Sequence, residues 1–216
     1  MKSLVGKLLI EFLGAFFLMV VIAFTGHPLS IAAVLIALIF AGGAVSGGHY
    51  NPAVSLAAWL RGAISIVDFL SYTIVQIAGA LLGSVVYATI AGSLFEVALP
   101  EGSSLLNAGI IEGIFTGALC FVVLMVATYP KHKGNQFYGL AIGMVLLAAV
   151  LAGAEISGSV YNPAILLGSA LQNYSAIPSH ATLIGTYLGA QLLGALGAVF
   201  VYKIVAWSST SDSVAQ

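Results

Sequence analysis

The sequence predicts an all-α integral membrane protein: six transmembrane helices plus two re-entrant half-helices, arranged as an inverted repeat. Three observations carry this reading. Hydrophobic residues make up 61% of the 216-residue chain and charged residues 6%, with a mean hydropathy of +1.12, whereas a soluble domain carries about 25% charged residues. Asn-Pro-Ala occurs twice, at Asn51-Pro52-Ala53 and Asn162-Pro163-Ala164, 111 residues apart and each time between long apolar runs. The six Lys and Arg residues fall only at the two ends of the chain and on alternate connections between those runs.

A spanning helix needs about 20 mostly apolar residues. Runs at 7–26, 29–46, 66–92, 108–129, 136–154 and 181–206 meet that need or nearly so. The first begins like a secretory signal, but Glu11 interrupts its apolar core and the run continues to Phe24. It is therefore read as a retained span. Segments 51–61 and 162–172 are apolar but too short to cross. Asparagine is a favoured N-cap and proline is favoured at the first helical position, so each Asn-Pro-Ala opens a short helix. Backbone that ends at membrane depth is tolerated where it is buried in protein or lines a watery cavity. The chain, residues 1–216, is one membrane domain with repeats at about 5–92 and 108–206, and the Ser-rich segment from Trp207 to Gln216 is expected to be disordered.

Lys2, Lys7, Arg61, Lys131, Lys133 and Lys203 all fall on one face of this arrangement, and the connections 25–28, 93–107 and 172–180 carry no Lys or Arg. The positive-inside rule makes that face cytoplasmic, with both termini on it. Three spans per half is an odd number, so the second half enters the membrane inverted and the two half-helices point at each other from opposite faces. Glycines spaced by four (Gly79 and Gly83, Gly139 and Gly143, Gly185 and Gly189) are expected to let helices pack closely in lipid. Cys120 is the single cysteine, so no disulfide forms within the chain, and its apolar setting marks a packing residue.

A net charge of −1 without a basic cluster gives no footprint for nucleic acid. No His/Asp/Ser grouping, metal-ligand spacing or phosphate loop is present, so the chain is read as no enzyme, with no cofactor and no metal. Two half-helices meeting by their N-termini present two positive dipole ends, each worth roughly half an elementary charge. The amides of Asn51 and Asn162 there can donate to a passing water oxygen, in a field that disfavours cations and excess protons. Glu11 and Glu112 are acids inside spans, costly unless satisfied; they either hold structure or relay protons. His49 either braces its loop or lines the cytoplasmic vestibule. Glu155 has Ala44 opposite it when the halves are aligned on Asn-Pro-Ala. It either hydrogen-bonds loop backbone near an outer vestibule or adds negative potential beside the pore.

The run Ser46-Gly47-Gly48-His49-Tyr50-Asn51-Pro52-Ala53-Val54-Ser55 and the second Asn162-Pro163-Ala164 resemble the major intrinsic protein family, the aquaporins and aquaglyceroporins. Glu11-Phe12-Leu13-Gly14, Gln76-Ile77-Ala78-Gly79-Ala80, and Glu112 with Thr116 extend the resemblance over about residues 5 to 205. It implies a passive channel for water and small uncharged solutes, one pore per protomer and a homotetramer in a membrane, with lipids as its surroundings. It also implies that Glu11 and Glu112 hold the re-entrant loops. By family spacing the outer filter is Ile31, Val150, Ser159 and Ile165. Most of the family has arginine directly after the second Asn-Pro-Ala, where this chain has Ile165. A ring of Ile, Val, Ser and Ile has one hydroxyl and no fixed charge, so it should be less hydrated than a water-selective one, admit solutes with apolar surface, and possess the means to gate by dewetting.

Branch markers within the family disagree. Ala170 matches the small residue of the water-selective branch and Tyr187 an aromatic there, but Leu188 stands where that branch usually has tryptophan. Two other classes stay open at this point: a secondary transporter built on the same kind of inverted repeat, and a structural membrane protein with negligible conduction.

Overall fold

The computed structural model describes residues 4–211, with side chains to residue 208. Eight helices follow in order: α1 (Leu4–Thr25), α2 (Pro28–Ser46), α3 (Pro52–Arg61), α4 (Ile66–Ala91), α5 (Leu105–Val123), α6 (Tyr138–Ser157), α7 (Pro163–Gln172) and α8 (Ile177–Ser211). Helix α5 runs on through one π-helical stretch, Leu124–Thr128. Six of these helices are long and apolar enough to cross a membrane, and α3 and α7, of 10 residues each, are the half-helices.

Local chemistry opens each half-helix as its sequence demands. Asn51 and Asn162 are extended N-caps whose side-chain oxygens accept from the backbone N–H of Ala53 and Ala164, and Pro52 and Pro163 occupy the first helical turn. Gly62, at φ 83°, ends α3 in the left-handed conformation.

The two halves interleave. Helix α1 packs most extensively on α4, and α5 on α8, while α2 crosses to α6. Each half-helix lies against the last span of the other half, α3 on α8 and α7 on α4. Gly168 makes the second crossing close, since a Cβ there would stand 2.7 Å from the Ala80 Cβ. The far ends are tied as well. Arg61 donates to the hydroxyl and carbonyl of Thr128 at 3.0 and 2.9 Å and lies over the Tyr202 ring. Gln172 donates to the Ser84 carbonyl at 3.0 Å, and Ser84 donates to its side-chain oxygen.

Burial is inverted relative to a water-soluble protein. Glu11, Gln76, Glu112 and Gln191 are fully buried, while Leu9, Ile74, Leu106, Leu151 and Phe200 are more than half exposed. That is the pattern lipid imposes, because polar groups have nowhere to go except inward.

Two expectations need correction. Helix α8 continues through Ser211 where disorder is predicted from Trp207, and residues 212–216 lie outside the described residues. The glycine pairs divide. A Cβ on Gly79 would come within 2.3 Å of the Phe12 carbonyl oxygen and one on Gly143 within 2.2 Å of Ile36, but at Gly185 and Gly189 it would meet nothing within 4 Å. The latter pair faces an outward groove between α5 and α8 instead of a helix of this chain.

Candidate functional site

Two buried carboxylates organise the centre of the molecule. Glu11 of α1 accepts from the Ser46 hydroxyl (2.5 Å), the N–H groups of His49 (3.0 Å) and Tyr50 (2.7 Å), and the Gln76 amide (2.8 Å). Glu112 of α5 accepts from the Ser157 hydroxyl (2.8 Å), the N–H groups of Val160 (2.9 Å) and Tyr161 (2.7 Å), and the Gln191 amide (2.8 Å). Each carboxylate thus fastens the loop that leads into a half-helix, and four donors offset the cost of burying it. Tyr72 and Tyr187 add a matching pair, their hydroxyls donating to the carbonyls of Ser46 and Ser157 at 2.8 and 2.7 Å.

The loops are bent by left-handed residues. Gly48, Tyr50, Ser159 and Tyr161 have φ of 66, 51, 58 and 48°. Tyr50 and Tyr161 are held there by their hydroxyls, which donate to the carbonyls of Leu38 (2.7 Å) and Ala149 (3.1 Å). Ser159 stands where the first half has Gly48, so this position carries a side chain at a conformation that favours glycine.

The bends bring the half-helix N-termini together. The Asn51 amide donates to the Tyr161 carbonyl at 2.9 Å, and the Asn162 amide donates to the Tyr50 carbonyl at 3.0 Å. Each amide has a second N–H, and both asparagines line one cavity of about 240 Å³. That cavity runs from Phe95 and Ala98 in the α4–α5 connection, past the asparagines, to Val123 and Ile142 at the opposite end. Most of its remaining wall is apolar, with His49, Glu96, Ser159 and Tyr161 as the other polar side chains.

All four sequence-assigned ring positions, Ile31, Val150, Ser159 and Ile165, line this cavity. The Ser159 hydroxyl lies 3.2 Å from the Val150 carbonyl, to which it donates, and 3.1 Å from the Tyr161 hydroxyl. Its single proton is taken up within the wall. His49 also lines the cavity. Its Nδ1 pairs with the Ser55 hydroxyl at 3.1 Å, and its ring meets Tyr72 edge to face. Glu155 is exposed and is absent from the lining, although its neighbour Ala154 contributes to it. Successive helical residues point about 100° apart, and that rotation turns Glu155 outward. Its backbone carbonyl accepts from Ser103 at 3.0 Å.

Sequence reasoning missed Gln191 and the tyrosine hydroxyls. Gln76 and Gln191 are 115 residues apart and so are Tyr72 and Tyr187, which is the signal that pairs them. Phe95 and Glu96 were missed too, and both line the cavity. Among the described residues no cluster of His, Cys, Asp and Glu could hold a metal ion.

Comparison with known proteins agrees with this geometry. The profile of the family described as Major intrinsic protein matches residues 4–202. The chain is 32% identical over 197 residues to Nodulin-26 of Glycine max, covering 87% of this chain and 68% of that protein. It is 31% identical over 162 residues to Aquaporin TIP1-1 of Arabidopsis thaliana, covering 74% of this chain and 64% of that one. The chain thus spans about two thirds of the length of these relatives. In fold it is similar to the X-ray structure of the aquaglyceroporin from Plasmodium falciparum, with a TM-score of 0.78 at 22% identity over 93% of this chain and 96% of that one. Twin capped half-helices joined across their tips, six apolar spans and a profile match over nearly the whole chain place this integral membrane protein in the major intrinsic protein family, whose members are channels and not enzymes.

Proposed function

We propose that this channel passes water and small uncharged solutes passively, through a filter of Ile31, Val150, Ser159 and Ile165 that offers neither a fixed charge nor a free hydroxyl proton. The observation that carries the reading is the shared lining: those four residues and both asparagines face one lumen. A solute at the ring must shed hydrogen bonds without replacement, which favours molecules with apolar surface or few polar groups. Glycerol, urea and ammonia are the leading candidates beside water. Ions are excluded by two means, the positive ends of α3 and α7 and the cost of stripping hydration in an apolar neck.

The carboxylates do not enter the permeation step. Glu11 and Glu112 are each engaged by four donors, which favours loop anchoring over a proton relay. The chain assembles as a homotetramer with one lumen per protomer. It resides in the plasma (cell inner) membrane, with both termini cytoplasmic as its Lys and Arg distribution favours.

A panel of water, glycerol, urea and ammonia in proteoliposomes tests the reading. Flux of water and at least one neutral solute, linear in gradient and independent of a proton gradient, is the expected result. Saturable, proton-coupled flux would instead support a transporter, and no flux of any of the four would support a structural role.

A further inference from the structure

The two loops that lead into the half-helices are fastened by the same set of bonds, from a serine, two N–H groups and a glutamine to a buried glutamate. One pair of residues in the first half has no counterpart in the second. Aligned on Asn-Pro-Ala, His49 and Ser55 stand opposite Val160 and Leu166, so holding the loop does not require them. His49 lines the lumen, and Ser55, on the first turn of α3, is fully buried beside it. A chain of hydrogen bonds leads from the protein interior to that ring. A carboxylate only accepts, so the Gln76 atom facing Glu11 at 2.8 Å is its NH₂. The same nitrogen lies 3.0 Å from the Ser55 oxygen and gives it the second proton. The Ser55 proton then has His49 Nδ1, 3.1 Å away, as its acceptor. A neutral imidazole that accepts at Nδ1 carries its own proton on Nε2. Tyr72 braces the ring edge to face at 5.5 Å, and Gly47 leaves the space that Nε2 occupies, since a Cβ there would stand 2.9 Å from it. With Nδ1 engaged inside the wall, the ring offers the lumen its other edge.

We infer that Ser55 is a positioning residue of the pore: held by Gln76, its hydroxyl fixes His49 as the Nε2–H tautomer and makes the ring a third inward donor beside Asn51 and Asn162. That role deepens the solute reading above and rests on it for its effect on flux. The other tautomer would turn a bare nitrogen toward the passing solute, an acceptor able to take a proton near neutral pH. Keeping the proton on Nε2 removes that base from the lumen wall. A second proton can then enter only at Nδ1, where it displaces the bond from Ser55. The titratable groups that face the ring are Glu11 of α1 and Asp68 and Tyr72 of α4, with Asp68 paired to Lys7 at 3.1 Å. Both carboxylates favour a charged ring; burial and the Ser55 bond oppose it.

Two measurements on the full chain test this role. In nitrogen NMR spectra of histidine-labelled protein, protonated and bare ring nitrogens resonate far apart, and His49→Gln identifies the His49 signals by their loss. Wild type is expected to show a bare Nδ1 and a protonated Nε2. Ser55→Ala should mix the two tautomers, and Ser55→Thr, which keeps the hydroxyl, should restore the wild-type pattern. In proteoliposomes, water flux through Ser55→Ala should gain a titration step between about pH 5 and 8, falling on the acid side, where an unconstrained histidine changes charge. Wild type and Ser55→Thr should lack that step. A wild-type His49 protonated at Nδ1 overturns the inference whether or not any variant folds. So does a Ser55→Ala channel with the wild-type tautomer and the wild-type pH profile. A wild type closed to water overturns the solute reading alone, because the tautomer is read without flux.

Discussion

The Asn51 side-chain amide donates to the main-chain carbonyl of Tyr161 at 2.9 Å, tying the tip of one half-helix to the loop that leads into the other. Asn162 returns the bond to Tyr50. Each asparagine therefore caps its own helix, joins the two halves and keeps one N–H for the lumen. No single role accounts for the residue type. Aspartate would cap equally well but could not donate, and serine would cap without reaching across.

Asn51→Asp is expected to keep the cap on Ala53 and lose the tie to Tyr161. An anionic oxygen would then face a carbonyl in a water-poor site, at a cost of about 3 kcal/mol. Thermal unfolding in detergent should show the loss, and vesicles should become leakier to sodium as the field at the tips weakens. An unchanged midpoint with ion-tight vesicles would refute the joint role.

Glu11→Gln and Glu112→Gln are expected to destabilise by similar amounts, each about 3 kcal/mol, because each amide NH₂ would face donors it cannot accept from. The near-equality follows from the matched sets of four donors. Chemical unfolding of both variants checks it. A stable variant with an altered pH profile of flux would point to proton relay instead.

The parts of this architecture that were legible in sequence are those whose signals are local. An N-cap followed by proline declares a helix start wherever it stands, and an acid inside an apolar run declares a buried group that needs partners. Gln191 was hidden because the repeat drifts: the asparagines are 111 residues apart, the glutamates 101 and the glutamines 115. No single alignment of the halves superimposes all three. Phe95 and Glu96 lie in a connection without periodicity, where only tertiary ties decide what faces the lumen. Gly185 and Gly189 have the spacing of packing glycines, but spacing does not say whether a helix of the same chain lies opposite. The Ser-rich end of α8 stays helical at least to Ser211, since extending an existing helix avoids the cost of a new nucleus.

Ser159→Gly isolates the strained position of the proposed filter. Relief of a left-handed side-chain conformation, worth roughly 1–2 kcal/mol, is opposed by loss of the hydroxyl's contacts with Val150 and Tyr161, worth about 1 kcal/mol. Stability should therefore change by less than about 1 kcal/mol while the ring widens and glycerol flux rises. A stability loss of about 3 kcal/mol or a fall in flux would show that the hydroxyl holds the loop open.

Gly79→Ala and Gly189→Ala form a matched pair on packing helices. The first puts a methyl 2.3 Å from the Phe12 carbonyl oxygen, and the second meets nothing within 4 Å. A loss of about 2–3 kcal/mol is expected for Gly79→Ala and none for Gly189→Ala, read by thermal unfolding in detergent. Equal effects would contradict the assignment of the two faces.

The most direct test of the apolar filter is stopped-flow shrinkage of proteoliposomes carrying wild type or Ile165→Arg, with water and glycerol measured on the same vesicles. The arginine adds charge, donors and bulk to a ring that has none of the first two. Wild type should pass glycerol, and Ile165→Arg should lower the glycerol-to-water ratio about tenfold. Equal water flux in both, with glycerol excluded by both, would contradict the account.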